Sequence, residues 1–69
     1  NPHLVIKGDT EYLGVCFIDG EEVVFDREII ASALPLYEGV DYSGLTEGTE
    51  FIIMESGNKV GEGIIDEII

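Results

Sequence analysis

Apolar and polar positions alternate through much of the chain, and the alternation predicts strands. Pro2, which has no amide hydrogen to donate, suits a strand start; Leu4-Val5-Ile6 follow, and Gly8-Asp9 marks a turn. In residues 10–19, TEYLGVCFID, Leu13, Val15 and Phe17 fall on one face while Cys16 and Ile18 fall on the other. Apolar side chains on both faces predict a strand covered on both sides, or one that pairs with a further neighbour. Asp19-Gly20 between two apolar runs is a strong hairpin signal, and it predicts a strand over residues 21–25. Near the C-terminus, the runs 51–54 and 60–65 flank Ser56-Gly57-Asn58, which predicts a second hairpin. Gly61 and Gly63 stand two apart and share one face, as where a strand meets close packing at a barrel corner.

Two stretches are less regular. In residues 26–37, DREIIASALPLY, Asp26 could cap a helix with Ile29, Ile30, Ala33 and Leu34 on one face and Pro35 at its end. Equally, Ile30, Leu34 and Leu36 could line one side of an extended strand reaching Tyr37, and local pattern leaves the two open. Residues 38–49, EGVDYSGLTEGT, form a loop by composition. The reading is all-β: strands near 2–7, 11–19, 21–25, 50–55 and 59–66, with 28–37 a sixth, arranged as a small closed or nearly closed barrel.

Composition bounds this picture. Sixty-nine residues make a single domain, 1–69, or a fragment of a longer chain. A chain of this size hides only about 60% of its unfolded surface and is marginal without help. Hydrophobic content of 45% nevertheless separates it from a disordered acidic tail. Fifteen acids against Lys7, Arg27 and Lys59 give a net charge of −12. Nucleic-acid surfaces need a basic footprint that three scattered cations do not make, so tRNA or DNA binding is not expected. The acidity fits a solvated, self-repelling surface or a docking face for a basic protein. No signal peptide and no run of about 20 apolar residues is present, so a membrane is not expected and a reducing, cytoplasmic setting is.

No catalytic constellation emerges, and neither an enzymatic activity nor a cofactor or metal is expected. Cys16 is the lone cysteine; its place inside LGVCFI predicts a buried small hydrophobe. His3 has no second histidine or cysteine near it and reads as structural. Glu38, Asp41, Glu47 and Glu50 are oxygen donors, but their spacing does not match a calcium loop. Ser32, Ser43 and Ser56 have no histidine to activate them unless His3 served. The pairs Glu21-Glu22 and Asp66-Glu67 point to opposite strand faces, which is wrong for acid–base work, and Gly61-Glu62-Gly63 lacks the rest of a dinucleotide fingerprint.

The closing stretch FIIMESGNKVGEGIIDEI resembles the last hairpin of the C-terminal β-barrel, domain 3, of elongation factor Tu. That family reads there as an apolar strand, Glu-Gly-Gly, a basic residue and Val-Gly-x-Gly-Val, and Phe51, Ile53, Glu55, Gly57, Val60, Gly61 and Gly63 sit on matching positions. NPHLVI at the start is similar to the family's Arg-Pro and aromatic-apolar strand. Together these spans cover less than half the chain. The resemblance implies a Greek-key barrel of five to six strands and tips residues 28–37 towards a long strand. It also implies an interaction hairpin at Glu55, Ser56, Gly57, Asn58 and Lys59. The departures bear on function. Met54 and Asn58 occupy positions that are usually basic in the family, where the hairpin cradles tRNA, and Asn1 replaces the arginine before the proline. The family's preceding strand, with its Glu-Glu-Gly-Gly-Arg signature, and its GTPase domain are not in this sequence.

Two classes of function follow. The first is a non-catalytic interaction module, translation-related by resemblance, that docks on a protein partner. The alternative is an acidic nucleic-acid mimic or immunity-type protein that blocks a basic partner. Participation in translation through tRNA is what family membership alone would imply. The strand without its family neighbour is expected to leave an open edge at residues 4–7 or 12–18, filled by upstream residues or by a second copy, giving a monomer or a weak dimer.

Overall fold

The computed structural model describes residues 2–18 and 28–69. The strand and hairpin expected at 19–25 therefore lie outside the described residues. The rest forms β1 (His3–Ile6), β2 (Leu13–Phe17), β3 (Ala33–Pro35), β4 (Glu50–Glu55) and β5 (Asn58–Ile64), with no helix among the described residues. The strands make one five-stranded sheet in the order β3-β2-β1-β4-β5, every neighbouring pair antiparallel. Within it, β4-β1-β2-β3 is the spatial order of a Greek key. Among the described residues the sheet is open, with β3 and β5 at its edges. Of the stretches expected to leave an open edge, β1 pairs along its length with β4 but with β2 only through His3 and Leu4, while β2 pairs with β1 on one side and β3 on the other.

Alternation divides the side chains between two faces. On the core face Leu4, Leu13, Val15 and Ile53 form a buried cluster, joined by half-buried Ile6, Phe17, Phe51 and Val60. The loop between β3 and β4 covers this face, contributing Val40, Tyr42 and Leu45. Burying each large apolar side chain stabilises by about 1.5–3 kcal/mol relative to exposure. So small a cluster leaves a chain of this size marginal among the described residues.

The closing hairpin turns on two residues, Ser56 and Gly57, because Glu55 already pairs with Asn58. Both turn residues have positive φ, 51° and 78°, the signature of a type I′ turn, whose twist matches that of the strands it joins. The register then slips by one: Ile53 faces Gly61, whereas Met54 faces Lys59, leaving Val60 as the extra residue of a β-bulge. The bulge puts Val60 on the core while Gly61 and Gly63 face Ile53 and Phe51. The expected sharing of one face by the two glycines is thus observed.

The segment 28–37 is neither a helix nor a long strand. Its only regular element is the three-residue β3. Two hydrogen bonds explain the choice, since Ile18 N–H donates to Ser32 O at 3.0 Å and Leu36 N–H donates to Gly14 O at 3.1 Å. The backbone groups a helix would use internally are committed to the ladder with β2. Pro35, opposite Val15, sits on an edge strand, where its missing N–H does no harm.

Cys16 corrects the expectation of burial, because it is a free, exposed cysteine. It alternates with Val15 and Phe17, so their position on the core face turns its thiol to the other side of the sheet.

Candidate functional site

The outer face of the sheet is divided into two halves of different chemistry. Over β1, β4 and β5 ion pairs are mixed with apolar groups: Val5, which alternates with Leu4 and so lies on this face, is 5% exposed, and Ile64, opposite Glu50, is 60% exposed. Lys7 Nζ is 3.6 Å from Glu50 Oε1 and 3.7 Å from Glu62 Oε2, and Lys59 Nζ is 2.9 Å from Glu62 Oε1. The hydrogen bond from Lys59, then its charge and that of Lys7, hold the Glu62 carboxyl below the ordinary glutamate range. These groups are exposed, so the network contributes little to stability. Its effect is on surface charge: both described lysines are matched by acids within the chain.

Over β2 and β3 lies an apolar half. Cys16 and Leu34 are direct cross-strand partners, and Leu34 is 52% exposed. Ile18 extends the row at one end and Tyr12 begins it at the other, each about half exposed. Leu36, tied to Gly14 by the backbone, and Tyr37 complete the surface. The Tyr37 ring takes the space that a side chain on Gly14 would fill, so an aromatic from the β3–β4 loop is laid over β2. The loop is fixed from the other side by Tyr42, whose hydroxyl donates to Gly14 O at 2.6 Å and accepts from Tyr37 N–H at 3.2 Å. Nothing in the local sequence singles out Tyr42; its hydroxyl bonds to a residue 28 positions away.

Glu55, Ser56, Gly57, Asn58 and Lys59 stand together, all exposed, at the tip of the β4–β5 hairpin. Asn58 Nδ2 donates to Ser56 O at 3.3 Å, and Lys59 is spent on Glu62. The hairpin therefore presents the Glu55 carboxylate, with no unpaired cation among these five residues.

The other sequence candidates are dispersed. Asp41 accepts from Ser43 N–H at 2.9 Å, and hydrogen bonds from Ser43 lower its pKa; Glu47 accepts from Ile68 N–H; Glu50 pairs with Lys7. Among the described residues no group of three or more His, Cys, Asp or Glu side chains is placed to hold a metal ion. His3 packs edge-on against Tyr12, ring centroids 5.7 Å apart. No helix among the described residues is long and apolar enough to cross a membrane. No family model, curated protein or solved structure matches the chain.

Proposed function

We propose that this chain is a non-catalytic interaction module that docks on a protein partner through the apolar half of its outer sheet face. The observation that carries the reading is the Cys16–Leu34 pair and its neighbours Tyr12, Ile18, Leu36 and Tyr37, a row of exposed apolar groups on adjacent strands. Large apolar surfaces left in water mark interaction sites more often than chance, and a marginal small domain gains from covering one. The barrel of the elongation-factor-Tu C-terminal domain is the proposed full architecture, and a translation-related role in a reducing cytoplasm the proposed setting. Support for the barrel comes from the closing hairpin, whose bulge at Val60 and paired Gly61 and Gly63 are devices that bend sheets.

Site-specific photo-crosslinking in the cells that express the protein tests the docking reading. A crosslinking residue at Leu34 is expected to give one discrete protein adduct, and the same residue at Asn58 none. Adducts from position 58 alone would move the site to the hairpin, and adducts from neither would overturn the reading. An acidic-mimic role, the second class of function, predicts a complex that dissolves as salt rises; docking through an apolar centre predicts one that weakens but persists.

A further inference from the structure

We infer that the partner of the β2–β3 face is a protein surface with an apolar centre ringed by lysine or arginine. The inference rests on the docking reading above and adds the chemistry of the occupant. Along the chain, Glu11 immediately precedes Tyr12 and Glu38 immediately follows Tyr37, and both acids are exposed. The two described lysines are on the other half of the face, each ion-paired to Glu62. The apolar row is thus flanked in sequence by acids. A complementary surface must bring positive charge to the rim and apolar groups to the middle. A second copy of this chain fits poorly, because each copy carries a net charge of −12 and would set its own acids against the same acids. Nucleic acid would bring phosphates to an acidic rim and is disfavoured for the same reason.

Chemical-shift mapping on the full 69-residue, ¹⁵N-labelled chain tests this with defined probes. The probes are three short synthetic peptides, alternating leucine–lysine, leucine–glutamate and serine–lysine. The leucine–lysine peptide is expected to shift the amides of residues 12–18, 33, 34, 36 and 37, with affinity falling as salt rises. Leu34→Ser is expected to weaken it roughly tenfold, and Glu38→Lys to weaken it without altering the unbound spectrum beyond the loop. The other two peptides are expected to leave this face unperturbed. If leucine–glutamate binds there as well as leucine–lysine, docking stands and the charge inference falls. If no leucine-bearing peptide shifts these residues, the docking reading itself falls. Leucine–lysine shifts confined to residues 58–64 overturn both, and sedimentation showing a dimer that buries this face replaces the basic partner with a second copy.

Discussion

The ring of Phe51 occupies the position that a side chain at Gly63 would need: a Cβ there would lie 2.7 Å from the ring's Cζ. The two residues are cross-strand partners in β4 and β5. Glycine to alanine in a strand ordinarily gains about 0.4–1 kcal/mol by restricting the unfolded chain, whereas overpacking costs about 1–3 kcal/mol. Phe51 also packs on the core cluster, so its ring cannot swing freely aside. Gly63→Ala is therefore expected to destabilise by about 1 kcal/mol in urea unfolding. A Phe51→Leu background is expected to reduce that loss, and equal losses in both backgrounds would show that the ring is not the obstacle.

Tyr42 ties the covering loop to the sheet through a single hydroxyl. Tyr42→Phe keeps the ring on the core and removes both hydrogen bonds, to Gly14 O and from Tyr37 N–H. A loss of about 1 kcal/mol is expected, with faster hydrogen exchange at Tyr37. Unchanged exchange there would mean that the loop is held by its apolar contacts alone.

Ser56 takes a left-handed conformation that glycine and asparagine tolerate better. Ser56→Asn, which makes the Asn-Gly turn, is expected to raise stability by up to about 1 kcal/mol. Gly57→Val, at φ 78°, is expected to lower it and to disturb the register of β4 with β5. A thermal melt of each variant checks the signs.

The Glu62 carboxyl is held below its ordinary range by Lys59 and Lys7. A carboxylate whose folded pKa is depressed contributes stability above its unfolded pKa and loses it as pH falls through the folded value. Its contribution is thus present at neutral pH and disappears in the acid range below the ordinary glutamate value. Lys59→Met is expected to raise the Glu62 titration midpoint, followed by side-chain carboxyl NMR, while changing neutral-pH stability little because the pair is exposed. An unmoved midpoint would show that the ion pair does not persist in solution.

Cys16 is exposed beside Leu34, so its thiol is expected to react with a maleimide in the native protein about as fast as in denaturant. The leucine–lysine peptide is expected to slow that reaction. Native protection without any peptide would restore the buried cysteine that LGVCFI suggests.

Local pattern carried much of this protein. The hairpin at residues 56–57, the Gly8-Asp9 turn, the two faces of β2 and the shared face of Gly61 and Gly63 all follow from side-chain alternation and turn chemistry, which a few neighbouring residues specify. Tertiary structure decided the rest. Alternation separates Cys16 from Val15 but does not say which face is covered. That depended on the β3–β4 loop laying Val40, Tyr42 and Leu45 over the side that Leu4, Leu13, Val15 and Ile53 share. Residues 28–37 had no intrinsic preference between helix and strand, and the carbonyl of Gly14 and the amide of Ile18 drew Leu36 and Ser32 into a short ladder instead. The row Tyr12, Cys16, Ile18 and Leu34 exists as a surface only because β3 returns beside β2, a pairing between residues 16 and 34 that no local sequence window contains.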